Sequence, residues 1–221
     1  MTDQEILGKV DHTLLKASAS WEEIKTLCDE AVRYKTASVC IPPAYVRPVF
    51  GEYAQGLVIC TVIGFPLGYT YPAVKALETE KALEDGAGEI DMVINIADIK
   101  NAHFDRVLDE IKTIRKICAR KILKVIIETC YLTEAEKIRL CGIVTEAGAD
   151  YIKTSTGFGT AGATLADVTL FRQHIGPDVN IKAAGGIKTR GDLEAFIGAG
   201  ASRIGTSSAV KILAGGSTEG Y

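Results

Sequence analysis

The sequence predicts a (β/α)₈ TIM barrel with a short N-terminal helical extension, on three observations. Eight short β-branched runs alternate with helix-patterned segments along the 221 residues, the alternation that builds a parallel sheet covered by helices. A segment of the form Gly-Ala-x-x-Ile recurs at 86–90, 148–152 and 200–204, each copy offering a glycine to end a helix and a lead into a strand. No Gly-rich dinucleotide turn follows the first run, and eight strands exceed the usual open doubly wound sheet.

In chain order the expected strands are Val10–Leu14, Thr36–Cys40, Leu57–Ile63, Glu89–Ile94, Ile122–Ile127, Tyr151–Thr154, Asn180–Ala184 and Arg203–Gly205. Three helices announce their starts: Ser20 before "WEEIKTLCDEAVRY", Pro72 opening "AVKALETEKALEDG", and Thr133 with Glu136 as a capping box before "EAEKIRLCGIVTEAG". Further helices are expected at 43–53, 100–119, 164–175, 189–198 and 207–214. No linker interrupts the pattern, so residues 1–221 read as one domain, with a flexible Gly/Ser-rich tail at 215–221.

Charge excludes some function classes. With 25 basic and 28 acidic residues, a net charge of −3 and no long run of either sign, nothing marks a nucleic-acid or membrane surface. The N-terminus lacks the apolar core of a signal peptide and no apolar run approaches a membrane span, which points to the cytoplasm. The six cysteines, at 28, 40, 60, 118, 130 and 141, form no Cys-x-x-Cys pair and read as reduced thiols rather than a disulfide frame or zinc site.

Alternation along the strands sets which side chains face the barrel interior. In "EIDMVINI" it turns Ile90, Met92 and Ile94 to the helices and Glu89, Asp91, Val93 and Asn95 inward. In "ILKVIIE" it points Lys124, Ile126 and Glu128 inward, and in "NIKAAGG" Asn180, Lys182 and Ala184. The Gly-Ala-x-x-Ile repeat sets Asp91, Lys153 and Gly205 at one height. Asp91, Lys124, Lys153 and Lys182 thus project inward from strands four to seven, with Asp11 and Thr13 as polar candidates from strand one.

Lysines inside a barrel suggest amine chemistry. Adjacent strands bring Lys153 and Lys182 together, and both a neighbouring cation and desolvation disfavour a protonated amine. A neutral lysine attacks a carbonyl to form a Schiff base, an electron sink for breaking or making the adjacent carbon–carbon bond. Asp91 and Lys182 are placed to relay the proton, with Lys124 holding Asp91. A metal-dependent alternative would call for clustered histidines, whereas His12, His103 and His174 are scattered.

A second constellation lies on the loops after strands six to eight: Thr156-Gly157, Gly185-Gly186 and Gly205-Thr206-Ser207-Ser208. Glycines let backbone N–H groups approach a phosphate, and Ser207 and Ser208 add hydroxyls and a helix N-cap.

At these residues the sequence closely resembles the deoxyribose-phosphate aldolase (DeoC) family of class I aldolases. The matching segments are "VDHTLLK" (10–16), "VCIPPAYV" (39–46), "EIDMVINI" (89–96), "LKVIIET" (123–129), "YIKTSTGF" (151–158), "IKAAGGIKT" (181–189) and "RIGTSS" (203–208). The resemblance implies reversible, cofactor-free cleavage of 2-deoxy-D-ribose 5-phosphate to D-glyceraldehyde 3-phosphate and acetaldehyde, by a homo-oligomer. It assigns Lys153 to the Schiff base and Asp91 and Lys182 to proton transfer. It places Cys40 near the substrate and the phosphate near Gly157, Gly185, Gly186, Gly205, Ser207 and Ser208. The chain departs at Phe158, where some members carry a phosphate-contacting lysine. Tyr221, ending the tail, is a further candidate for proton transfer. Another lysine aldolase or transaldolase of the barrel type, or a noncatalytic barrel binding phosphorylated ligands, are the competing readings.

Overall fold

The computed structural model describes residues 1–53 and 56–213; the expected tail and Tyr221 lie outside them. Eight parallel strands close into a barrel in sequence order: β1 (Val10–Thr13), β2 (Ser38–Ile41), β3 (Ile59–Ile63), β4 (Glu89–Val93), β5 (Ile122–Ile126), β6 (Tyr151–Lys153), β7 (Asn180–Ala184) and β8 (Arg203–Thr206). The helices are α1 (Asp3–Leu7), α2 (Trp21–Tyr34), α3 (Val46–Tyr53), α4 (Pro72–Glu84), α5 (Ile96–Lys100), α6 (Phe104–Cys118), α7 (Glu134–Glu146), α8 (Leu165–His174), α9 (Arg190–Ala199) and α10 (Ala209–Leu213). Helix α1 is the N-terminal extension. Among the described residues, no helix is long and apolar enough to cross a membrane.

Local chemistry starts several of these helices. Ser20 and Glu23 form a reciprocal capping box at α2 and Thr133 and Glu136 another at α7, each satisfying two orphan backbone donors. Thr2 with Glu5 and Thr189 with Asp192 repeat the device at α1 and α9. The glycines of the repeat, Gly86, Gly148 and Gly200, all have positive φ where a helix gives way to the next strand.

The expected helix over 100–119 is α6, which starts only at Phe104: an unexpected short helix, α5, capped by the Asn95 side chain, precedes it, and Asn101 and Ala102 at φ 57° turn the chain between the two. Strand β2 also starts two residues later than its pattern suggests, at Ser38, where the ladder to Asp11 begins, and ends one residue later, at Ile41.

The strand register fixes the interior. Asp91 pairs with Lys124, which pairs with Tyr151, and Lys153 stands two residues above Tyr151. The same two-residue rise leads from Lys153 through Lys182 and Arg203 to Gly205, then through Asp11 and Ser38 to Cys40, and through Cys60 and Glu89 back to Asp91. Cys40, Asp91, Lys153 and Gly205 therefore form one layer from the even strands, containing the three positions that the repeat aligns. Below it the odd strands supply Asp11, Cys60, Lys124 and Lys182, and below that lie Ser38, Glu89, Tyr151 and Arg203. Barrels of this kind usually fill such layers with Val, Ile and Leu; here they are mostly ionic.

The apolar core consequently lies between sheet and helices, where Ile90, Met92, Leu123, Val125, Ile152 and Ile181 turn outward. Inside, the apolar part is a small cluster of Leu15, Cys40, Cys60 and Val62, with Phe65 against it. All six cysteines are free thiols. Asn180 departs from the alternation rule, being exposed at the lower end of β7, where the barrel interior ends.

Candidate active site

Four basic and three acidic side chains share the barrel interior. Lys124 and Lys182 are completely buried, Lys153 is 3% exposed, and Asp11 and Asp91 are inaccessible. Lys153 Nζ and Lys182 Nζ each lie 2.7 Å from Asp91 Oδ2, while Lys124 Nζ lies 2.8 Å from Asp91 Oδ1. Lys182 continues to Asp11 at 2.5 Å; Lys124 reaches Glu89 at 2.5 Å and Cys60 Sγ at 3.2 Å. Arg203 closes the network beneath, 2.5 Å from Asp11 and 3.1 Å from Glu89, and Ser38 Oγ donates to Asp11 at 2.7 Å.

These contacts set the protonation states. Burial opposes charge on Asp91, but the positive charge around it, that of Lys124 first, outweighs it and holds the carboxyl well below the usual carboxylate range. Asp11 is likewise lowered against burial by Lys182, Lys124 and Arg203. Burial also works against the Lys182 ammonium, yet Asp11 and Asp91 raise it above the ordinary lysine value, and Lys124 is raised mainly by Asp91. Lys182 is thus a fixed cation beside the Lys153 amine.

Above the ions a cavity of about 300 Å³ opens at the C-terminal ends of the strands. Lys153 forms its floor beside Thr13, and Thr156, Gly157, Gly185, Gly186, Gly205, Ser207 and Ser208 line its wall. Asp91, Lys124, Lys182, Asp11 and Cys40 do not reach this surface; they stand below it. Lys153 is the one base of the ion cluster that meets the cavity.

A glycine is required at one place here and leaves tight room at another. A Cβ on Gly162 would lie 2.4 Å from the carbonyl carbon of Gly185, where Ala163 N donates to both Ala184 O and Gly185 O at 3.1 Å, locking the β6–α8 loop to the β7 loop. A Cβ on Gly205 would meet Lys182 Cε at 3.1 Å and Ala184 Cβ at 3.0 Å. Gly205 therefore both lines the cavity and clears the path of the Lys182 side chain.

Ser208 immediately precedes α10 and occupies its N-cap position: its carbonyl accepts from Ile212 N at 2.8 Å, while its N–H donates to Thr206 Oγ1 at 3.2 Å and the two hydroxyls lie 3.1 Å apart. Phe158 turns from the cavity and meets Phe65 edge to face, ring centroids 5.3 Å apart. Cys40 lies beside Cys60, whose hydrogen bond lowers the Cys40 thiol; burial raises Cys60.

Two groups have a metal-like donor arrangement: Cys40, Cys60 and Asp91, and Asp11, Cys60 and Glu89, each with ligand atoms within 4.8 Å of one another. The same atoms of Asp91, Cys60, Asp11 and Glu89 already bind ammonium or guanidinium groups, so the donor set suits cationic side chains.

Sequence reasoning overlooked several contributors. Arg203 opens β8 and looks like a surface cation, although the parity that turns Gly205 inward turns Arg203 inward too. Cys60 shares a register pair with Cys40. Lys188, two residues past the Gly185-Gly186 turn, also lines the cavity. Glu128, read only as inward, is buried and binds Thr156; burial raises its carboxyl against the lowering effect of those bonds.

Comparison with known proteins places these features in a family. Residues 5–213 match the family model described as DeoC/LacD family aldolase. Deoxyribose-phosphate aldolase of Clostridium botulinum (strain Eklund 17B) is 59% identical over the full length of both chains, and that of Clostridioides difficile (strain 630) is 58% identical over 99% of this chain and 100% of its own. The tetrameric deoxyribose phosphate aldolase structure from Aeropyrum pernix superposes with a TM-score of 0.90 at 34% identity, covering 96% of this chain and 91% of that one.

Proposed function

The chain belongs to the DeoC/LacD family of aldolases, and we propose that its reaction is the reversible cleavage of 2-deoxy-D-ribose 5-phosphate to D-glyceraldehyde 3-phosphate and acetaldehyde through a Schiff base on Lys153. The observation that carries this reading is the position of Lys153: its amine meets the cavity while its other side faces a buried network of fixed charge. Asp11, Glu89 and Asp91 face Lys124, Lys153, Lys182 and Arg203; Lys124 and Lys182 each contact at least two carboxylates, whereas Lys153 pairs with Asp91 alone, on an oxygen it shares with Lys182. Lys124 and Lys182 hold their protons between carboxylates, which leaves the amine at the cavity to attack the aldehyde carbon.

In this mechanism the Lys153 amine adds to C1 of the open-chain sugar and the carbinolamine loses water to give an iminium. A base removes the C3 hydroxyl proton, the C2–C3 electron pair moves into the iminium, and glyceraldehyde 3-phosphate departs. The remaining enamine takes a proton at C2, and water releases acetaldehyde. Asp91, bridging Lys153 and Lys182, relays these protons, with Lys182 as partner and Lys124 and Asp11 holding the pair in place. The phosphate sits among Thr156, Gly157, Gly185, Gly186, Gly205, Ser207 and Ser208, and Lys188 adds charge there. Cys40, one layer-mate of Lys153, sits below the reacting carbon, and Thr13 borders it.

The tetramer of the Aeropyrum pernix relative supports a homo-oligomeric protein; we read it as cytoplasmic, acting on a phosphorylated sugar and short aldehydes without a cofactor, the described residues forming one barrel. The test is a coupled assay offering 2-deoxyribose 5-phosphate and keto-sugar phosphates at equal concentration. Acetaldehyde release from the former, at least about 10²-fold faster than cleavage of the latter, is expected; a preference for keto sugars would replace this reading with that of a different lysine aldolase.

A further inference from the structure

Glu128 lies just beyond β5, outside the cavity, with backbone angles of φ 52° and ψ 69°. That left-handed conformation is uncommon for a residue with a long side chain and persists where the surroundings enforce it. The enforcement is visible on both sides: Ile127 N donates to Lys153 O at 3.1 Å and Thr129 N to Thr154 O at 2.9 Å, so the chain is stitched to β6 immediately before and after the turn. The turn directs a carboxylate that is 2% exposed at the loop after Lys153. Thr156 N donates to Oε1 at 3.1 Å and to Oε2 at 3.3 Å, and the Thr156 hydroxyl donates to Oε2 as well. Thr156 Oγ1 in turn accepts from Phe158 N at 3.0 Å, spanning Gly157. A Cβ on Gly159 would approach the Glu128 carboxyl to 3.1 Å, so the loop also packs directly on it.

We infer that Glu128 is a positioning residue for the phosphate end of the substrate: by clamping Thr156 it aims the Gly157 backbone at the cavity. The inference rests on the phosphate assignment of the proposed function, and acts one shell behind it. Because the clamp holds the loop rather than the reacting carbon, its loss falls on binding of the phosphoryl group more than on the carbon–carbon chemistry.

The clamp is separable from the fold. Glu128→Gly removes the carboxylate while relieving the left-handed backbone, and Glu128→Asn, tolerated in that region, keeps a polar side chain too short to reach Thr156. Full-length wild type and both variants are titrated with inorganic phosphate, following backbone amide resonances by NMR, and assayed on 2-deoxyribose 5-phosphate and unphosphorylated 2-deoxyribose. Both variants are expected to melt within a few degrees of wild type, bind phosphate about tenfold more weakly, raise KM for the phosphorylated sugar to a similar degree, and hold kcat on the unphosphorylated sugar within about threefold, the loss of a hydrogen-bonded carboxylate being of that order. Glu128→Gln, which retains an acceptor for Thr156 N, restores most of the affinity. Phosphate affinity unchanged in the Gly and Asn variants, or an equal fall of kcat on both sugars with KM constant, overturns the inference. Wild type that binds phosphate without cleaving either sugar would sink the proposed reaction alone, while the phosphate titration still decides the role of Glu128.

Discussion

A single oxygen, Asp91 Oδ2, lies 2.7 Å from both Lys153 Nζ and Lys182 Nζ. The carboxylate thereby joins the amine that meets the cavity to an ammonium pinned from behind by Asp11. Replacing Asp91 by Asn keeps the volume but removes the charge and the proton path. kcat on 2-deoxyribose 5-phosphate is expected to fall by about 10²-fold or more, measured in steady state, with the smaller change in KM.

Lys124 spans Asp91, Glu89 and Asp11 without exposure to solvent. Lys124→Met preserves most of the stem and takes one cation from three carboxylates that keep Lys153, Lys182 and Arg203 as partners. Removing one partner of a buried ionic network costs about 3–5 kcal/mol, so the urea midpoint should drop correspondingly; an unchanged midpoint would show that the network does not carry stability.

Gly205→Ala probes the space needed by Lys182. The added methyl would stand 3.1 Å from Lys182 Cε, and overpacking of this kind costs about 1–3 kcal/mol. The expected result is a lower melting temperature together with a lower kcat. A Ser207→Ala control, on the cavity wall without such a contact, should raise KM alone.

The cavity wall makes opposite forecasts for two neighbouring loops. Lys188→Gln should raise KM for the phosphorylated sugar by about tenfold, the worth of one charge-assisted hydrogen bond. Phe158→Ala, which removes an edge-to-face contact with Phe65 outside the cavity lining, should leave that KM within about twofold. If both forecasts hold, the departure at Phe158 costs the site little, because Lys188 on the β7–α9 loop supplies the cation.

Stability should respond to pH at both ends. Asp11 and Asp91 have folded values below those of the unfolded chain, so their contribution is present above about pH 4 and lost as pH falls further. Lys124 and Lys182 are raised, so theirs is complete below about pH 10 and disappears as pH climbs beyond it. Thermal melts should thus show a plateau between these limits, with a smaller alkaline fall in Lys182→Met, which lacks one of the two raised ammoniums.

How much of this was legible depended on which physical signal each residue carries. Asp91, Lys124 and Lys182 betray themselves because a charge inside a buried strand is costly, and alternation assigns its direction. The Gly-Ala-x-x-Ile repeat encoded the layer holding Asp91, Lys153 and Gly205, since equal distances from a helix end place residues at equal heights. Arg203 escaped because a cation at the first position of a strand is ordinarily solvated. Glu128 lies past the end of β5, where alternation stops, and its left-handed turn is set by tertiary bonds to β6 rather than by local preference. Helix α5 and the late start of α6 at Phe104 were missed because the stretch from Asp98 to His103 is largely polar and fits a helix as well as a turn. Tyr221 lies outside the described residues.

The central claim is that Lys153 forms the Schiff base, and the most direct measurement is borohydride reduction of the intact protein in the presence of acetaldehyde, followed by peptide mass spectrometry. Hydride delivered to the iminium would leave a stable N-ethyl group on the peptide carrying Lys153, with none on those carrying Lys124, Lys182 or Lys188, and with loss of activity in step with labelling. An unmodified Lys153, or an ethyl group confined to another lysine while activity is lost, would contradict the account.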